Sequence, residues 1–296
     1  MSSPTHLTDI LIVGAGMSGV AAASSLDATG FRILMIDKSM KIGGRLASKK
    51  LGKARFDYGA QFMTAREPQF LSLMKECEKR GVIKQWFTSE SGKLQRHPRW
   101  CGLSGMTAVA AHLATSLQFY PGRRLAAIEC DNNRWLAHLS SGDHLSASAL
   151  LLTPPVPQML DLFQNSDIEI SSDSAERLRN IEYEKCLAVL AQLDGPSAID
   201  SPGGMKFSEG PVSWLADNQQ KGISKVPAVT IHGAAAFSEQ HWQSDRQEAG
   251  RLLLAAAESW HGSGVTEFQV HGWRYAKPVR VEPERCLVIK RMPPLV

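Results

Sequence analysis

The sequence predicts an α/β fold, a helix-covered parallel sheet extended by a β-meander and interrupted by an α+β unit. Three observations predict it. The aliphatic run at 8–13 (Thr-Asp-Ile-Leu-Ile-Val) stops at a Gly14-x-Gly16-x-x-Gly19 turn with an alanine-rich segment behind it. A second aliphatic run, at 31–36, ends on Asp37. Three more apolar runs between residues 125 and 152 follow one another with only short polar turns between them.

Each element has its own justification. The run at 8–13 has the composition of a strand buried on both faces of a parallel sheet. Behind it, Ala21, Ala22, Ala23, Leu26 and Ala28 give a helix of small residues able to lie close to that sheet, and Gly30 ends it. Residues 31–36 return as a second buried strand, completing a β-α-β unit. Glu67-Pro68 opens an amphipathic helix to Arg80, carrying Phe70, Leu71, Leu73, Met74 and Cys77. Trp86, Phe87 and Trp100 flank a polar stretch, and Gly105-Met-Thr107 precedes a second alanine-rich helix to about Leu117.

Strands near 125–130, 135–139 and 145–152, with a Ser-Gly-Asp turn at 141–143, form the meander. Thr153-Pro-Pro-Val-Pro157 closes this block, and the polar residues 165–174 read as a surface connection. Beyond it, strands are expected at 186–193 and 228–231 and one helix from about Ser238 to Trp260. The nucleotide-binding unit is thus expected to span 1–75, 101–160 and 271–296, and the substrate unit 76–100 and 161–270.

Composition bounds the function. With 296 residues, 43% of them apolar, the chain can bury the core of one large domain or two interleaved ones. Its 33 basic and 29 acidic residues leave a net charge of +4 with both signs scattered, which predicts no nucleic-acid or membrane partner. The cysteines, Cys77, Cys101, Cys130, Cys186 and Cys286, are odd in number and contain no C-x-x-C pair. They read as neither zinc site nor disulfide framework, and a reducing cytoplasm fits them. No export leader is expected, and glycines and serines interrupt the apolar stretch at 10–26, so no transmembrane helix is expected either. A Walker phosphate loop, H-E-x-x-H and G-x-S-x-G are all missing, and the nine histidines form no metal-ligand spacing.

The motif Gly14-Ala15-Gly16-Met17-Ser18-Gly19 carries the first piece of chemistry. One glycine makes the tight turn, the next lets backbone N–H groups approach a diphosphate, and the third lets helix and strand pack closely. Asp37 stands 18 positions beyond the last glycine, where a carboxylate accepts the ribose hydroxyls of a dinucleotide. Lys38 follows it. The fingerprint leaves NAD and FAD as alternatives.

The next residues are Lys41-Ile-Gly43-Gly44-Arg45 and Phe56-Asp57-Tyr58-Gly59-Ala60-Gln61-Phe62. A Gly-Gly-Arg loop after the ribose acid, then Asp-x-Gly-Ala-Gln, resembles the flavin-containing amine oxidase superfamily and specifically its renalase branch. The resemblance continues through Trp100-Cys-Gly102-Leu-Ser-Gly105-Met106, Thr153-Pro-Pro-Val-Pro157-Gln158, Trp214-Leu-Ala-Asp217-Asn218 and His271-Gly-Trp273-Arg274-Tyr275-Ala276. It implies FAD as the cofactor, held in a Rossmann-like FAD-binding domain. Gly43 and Gly44 free the backbone to approach phosphates or the flavin edge while Arg45 supplies charge. By resemblance, Gly59, Ala60 and Gln61 pass close to the isoalloxazine ring; taken alone, a bulge at Gly59 accounts for them equally. By resemblance too, Trp214, His232, Trp273 and Tyr275 roof the flavin and sandwich a planar substrate, although core packing accounts for each singly.

The activity that the resemblance implies is an FAD-dependent oxidase of isomeric dihydro-NAD(P), with hydride passing to flavin N5 and oxygen reduced to hydrogen peroxide. Position and stacking then matter more than a strong base. A flavin amine oxidase is the enzyme alternative. Renalase-like chains continue past the Trp-Arg-Tyr-Ala segment into a last strand, a Gly-Asp motif and a glycine- and alanine-rich helix. Here the chain closes on Cys286-Leu-Val-Ile-Lys-Arg-Met-Pro-Pro-Leu-Val296 instead. The expectation is an unpaired sheet edge, an exposed apolar face and weakened flavin binding. A truncated, catalytically impaired FAD-binding protein is accordingly the third reading. Leu103-Ser104 and Gly233 are smaller departures from the family's pattern.

Overall fold

The unbroken apolar run at the start becomes the strand His6–Val13, which sits between two parallel neighbours. Ile10 to Val13 pair with Ile33 to Ile36 on one side, and Val13 pairs with Leu152 on the other. Leu11, Ile12, Met35 and Ile36 have no solvent exposure, as strands covered on both faces require. The second strand begins at Ile33 rather than residue 31, because Phe31 is exposed and the Arg32 guanidinium and N–H bind the Asp9 carboxylate. This computed structural model describes residues 6–90 and 93–296. The chain falls into two compact units.

The first unit comprises Met1–Gly44, Ala110–Glu182 and Pro278–Val296. Helix Met17–Asp27 buries Gly19, Val20 and Ala23. The meander forms as expected from Leu125–Asp131, Arg134–Leu139 and His144–Leu152, antiparallel throughout. Asn132 and Asn133 make its first turn at positive φ, a conformation asparagine tolerates. One helix takes up the end of the expected closing loop, and residues 166–171 remain an irregular connection to a second helix. Val156–Asn165 starts on Pro155 and Pro157, and Ser172–Arg179 starts where the Ser171 hydroxyl accepts from Ser174 N–H.

The sheet edge expected to be bare is closed by the chain's own last residues. Leu295 is fully buried and pairs in parallel with Leu150. Val296 and Leu150 to Leu152 exchange bonds of 3.0 and 2.7 Å, and the Trp135 indole donates to Pro294 O at 2.9 Å. Arg177 fastens the approach to this strand through Glu282 and Glu284, at 2.7 and 2.9 Å.

The second unit comprises Arg45–Val109 and Tyr183–Lys277. Its sheet has five strands in the order Gly204–Lys206, Val212–Asp217, Ala228–Gly233, Tyr183–Leu193 and Val265–Pro278. Leu187, Val189, Leu215, Val229 and Ile231 form the core with Leu253 from a covering helix and Trp242 from the turn before it. The single helix expected at 238–260 is three: Ala235–Gln240, Arg246–Ala256 and Glu258–His261. The break is physical, since Trp242 sinks into the core and Asp245 caps the next helix by accepting from Glu248 N–H. Helix Pro68–Lys79 forms as expected, whereas the polar stretch flanked by Trp86, Phe87 and Trp100 belongs, in its described residues, to two paired strands, Ile83–Glu90 and Lys93–Gly102.

The units change at 44/45, 109/110, 182/183 and 277/278, whereas the sequence placed breaks at 75/76, 100/101, 160/161 and 270/271. The hairpin Ser48–Leu51 and Ala54–Asp57 packs Ala54 and Phe56 on Leu190 and Ala228 of the second unit's sheet. The Val265–Pro278 strand runs without interruption across residue 271. Among the described residues, no helix is long and apolar enough to cross a membrane.

Candidate functional site

In the first unit, the glycines of the turn differ in what they permit. Gly14 has φ +107°, and a side chain there would overlap the Thr153 hydroxyl. One at Gly19 would overlap the Gly14 carbonyl. Gly16 is different, because its nearest obstacle is Gly44 Cα at 4.0 Å, so its side faces open space. Helix Met17–Asp27 has no side-chain cap and no acid in its first turn. The N–H groups around Met17 and Ser18 therefore stand at the positive end of the helix with open backbone before them, a fit for a diphosphate.

Asp37 closes this cradle. Its carboxylate accepts from Ala15 N–H and Ser39 N–H, both at 2.7 Å, which orients it while leaving lone pairs for ribose hydroxyls. The Lys38 ammonium donates to Gln158 Oε1 at 3.0 Å, and burial and Arg124 push its pKa down against the pull of Asp37. Gly43 donates to Ala15 O at 2.8 Å, bringing Gly43 and Gly44 alongside Ala15 and Gly16. The residues present fit the ADP portion of FAD.

In the second unit, strand Ala54–Asp57 ends on a fully buried carboxylate paired with a fully buried ammonium, Asp57 to Lys221 at 2.8 Å. Asp57 Oδ1 also accepts from Met106 N–H at 2.8 Å and from the Ser48 hydroxyl. Gln61, expected near the flavin, spends its amide internally. It donates to Asp57 O at 2.7 Å and Gly59 O at 3.1 Å, and its oxygen accepts from Lys221 at 3.3 Å. Gly59 has a local reason, since a side chain there would overlap the Arg45 carbonyl and press on Trp273. Ala60 N–H donates to that same carbonyl at 2.8 Å, while the Arg45 guanidinium reaches Tyr275 O at 3.4 Å.

The four expected pocket residues do not form one roof. His232 Nε2 and Trp273 Nε1 both donate to Tyr58 O, at 3.1 and 2.8 Å. Tyr58 stacks on Trp273 with centroids 5.2 Å apart, and His271 meets both rings edge-on. Trp214 stands opposite His232 in the sheet register, yet packs with Phe62 and Trp86 in a second aromatic group that Arg99 and Phe87 join. Tyr275 lies edge-on to Tyr183. Sequence patterns missed Tyr58, His271 and Lys221 as site residues. The spacing of His271 and Trp273, two apart on one strand, is the signal that puts both on one face.

Charge distinguishes the first aromatic group. Burial pushes His232 down to about 4, with Lys221 adding to it and the bond to Tyr58 opposing. His271 is likewise pushed down to about 4, by burial, Lys49 and Arg246. Both imidazoles are neutral at pH 7, and His232, with its hydrogen on Nε2, keeps Nδ1 as an acceptor. Lys49 lies 5.4 Å over the Tyr58 ring. Among the described residues, no cluster of three or more His, Cys, Asp or Glu could hold a metal ion.

Comparison with known proteins supplies the class. Residues 12–77 match the NAD(P)-binding Rossmann-like domain, and residues 81–280 match the flavin containing amine oxidoreductases. The chain is 23% identical to mouse renalase over 274 residues, covering 86% of this chain and 80% of the relative. A shorter match, 31% over 77 residues, links 26% of the chain to an L-amino acid dehydrogenase of Synechocystis. Among solved structures, putrescine oxidase bound to putrescine superposes with a TM-score of 0.69 at 12% identity, over 90% of this chain and 85% of that one. A fatty acid isomerase from P. acnes superposes at 0.66 and 14%, over 92% and 86%. One fold thus carries several chemistries, and these likenesses speak for the fold alone.

Proposed function

Because the chain belongs to the family of flavin containing amine oxidoreductases, we propose that this FAD-dependent enzyme is an oxidase of renalase type, acting on isomeric dihydro-NAD(P). One observation carries the choice of substrate. Lys49 and Arg246 are cations that stand against Tyr58 and His271, while Lys221, which adds to the field at His232, is balanced by Asp57. An alkylamine is itself a cation at neutral pH, so such a surface disfavours it, whereas a dinucleotide brings phosphates that suit it.

Bound FAD supplies the hydride acceptor and the route of electrons to oxygen. In this reading the Gly14–Gly19 turn takes the diphosphate and Asp37 the ribose, with Lys38, Gly43, Gly44 and Arg45 beside them. Gly59, Ala60 and Gln61 form the support on which Tyr58 and Trp273 are held. The half-buried Trp273 indole offers a stacking face for a planar dihydropyridine, whereas Trp214 is buried in the second aromatic group. His232 Nδ1 is an acceptor for a carboxamide N–H. No strong base is needed, because the ring nitrogen pushes the hydride out and the protein supplies position. The five free cysteines support a cytoplasmic setting within the same reading.

The test is the visible spectrum of the purified protein, recorded anaerobically before and after a mixture of dihydronicotinamide isomers, then after air. Bleaching that returns with peroxide supports the reading. Bleaching by simple amines alone turns it toward an amine oxidase, and a colourless protein that FAD cannot reconstitute points to the impaired form.

A further inference from the structure

Lys221 is an unusual residue to find with no solvent exposure. Lysine side chains ordinarily carry the ammonium out to water along their apolar stems. Here the turn after strand Val212–Asp217 delivers it inward. The Asp217 carboxylate accepts from Gln219 and Gln220 N–H at 2.7 and 2.9 Å, and Lys221 N–H returns to Asp217 O at 2.9 Å. Asn218 fastens the same turn to Asp57 N–H and to the Thr230 hydroxyl.

The buried ammonium then meets three partners. It pairs with Asp57, donates to Gln61 Oε1, and stands 4.7 Å over the Trp86 ring. Two of these lie on the 57–61 segment, whose Tyr58 carbonyl holds His232 and Trp273. The third belongs to the aromatic group of Trp214. A buried ion pair is weak evidence for stability, since apolar side chains of similar volume often do as well. Direction is what the pair supplies and an apolar pair does not.

We propose that Lys221 is a positioning residue, setting the Asp57–Gln61 backbone and the Trp86–Trp214 indoles at a fixed spacing on which flavin and substrate binding depend. The first half uses only the FAD cofactor, and the second rests on the substrate reading above.

The test compares the FAD-loaded full chain with K221M and with D57N/K221M, measuring Tm, the FAD dissociation constant and steady-state kinetics with dihydronicotinamide isomers. K221M leaves Asp57 uncompensated and lowers Tm. The double variant buries no lone charge and regains the parental Tm. The expected signature is that it nonetheless keeps an FAD dissociation constant and a KM raised about tenfold or more, with kcat within about twofold. Recovery of dissociation constant and KM together with Tm would overturn the proposal, reducing the pair to charge balance. If K221M does not fold, the double variant decides alone. If the parent holds FAD but ignores dihydronicotinamides, the substrate reading fails while the FAD constants still judge Lys221.

Discussion

His232 and Trp273 donate to one and the same acceptor, the carbonyl oxygen of Tyr58, at 3.1 and 2.8 Å. A carbonyl has two lone pairs, so both bonds form at once and the peptide plane of Tyr58 is fixed from two strands. Trp273 adds a stacked ring with an interplanar angle of 23°. W273F keeps an aromatic face but loses the donor, and should cost about 1 kcal/mol in denaturant unfolding. W273A loses the stack as well, and should cost about 3 kcal/mol and raise KM further than W273F does. Equal losses for the two variants would show that the hydrogen bond alone matters.

The neutral state of His232 makes stability depend on pH with a definite sign. Its folded pKa, about 4, lies below the ordinary imidazole value of 6.5, so between these the unfolded chain binds more protons. The contribution is complete above pH 6.5 and is lost as pH falls toward 4. Its size is at most about 3 kcal/mol. H232N retains an N–H for Tyr58 O but cannot titrate, so its unfolding free energy should fall less steeply across that window. A slope matching the parent's would assign the acid sensitivity elsewhere.

Much of the first unit was legible because its signals are local. The glycine spacing, the two aliphatic runs and the polar turns of the meander each sit within a few residues of what they specify. The second unit's site depends instead on meetings between distant positions. Asp57 and Lys221 come together where the Ser48–Asp57 hairpin packs on the five-stranded sheet, and the Tyr58 carbonyl is a backbone atom that no side-chain pattern announces. Val265–Pro278 carries a strand pattern that the sequence reading passed over: Phe268 and Val270 face the core, and Glu267, Gln269, His271 and Trp273 share the opposite face. Helix Val156–Asn165 was hidden by its prolines, which read as loop but occupy the first turn.

The final strand predicts a contrast between two neighbouring side chains. Leu295 is fully buried against the sheet, whereas Met292 is 68% exposed. L295A should destabilise the protein by about 2–4 kcal/mol, and M292A should stay within about 0.5 kcal/mol. Similar values for both would mean that the terminal strand does not dock in solution.

The glycines of the phosphate turn separate fold from cofactor most cleanly. Gly16 has φ −76° and ψ −178°, which any residue adopts, and a methyl group there would come no closer than 4.0 Å to Gly44 Cα. G16A should therefore fold with a stability within about 0.5 kcal/mol of the parent. Its methyl nevertheless occupies the side on which a diphosphate must approach the helix N-terminus, so FAD should dissociate about tenfold more readily, or about 1.4 kcal/mol. G19A is the opposite case, because its methyl overlaps the Gly14 carbonyl and forces helix from strand, costing about 1–3 kcal/mol even without cofactor. Unfolding of the apoprotein and fluorescence titration with FAD measure the two quantities separately. If G16A bound FAD as tightly as the parent, the diphosphate would have to sit away from Gly16, and the cradle would need to be redrawn around the Gly43–Gly44 loop.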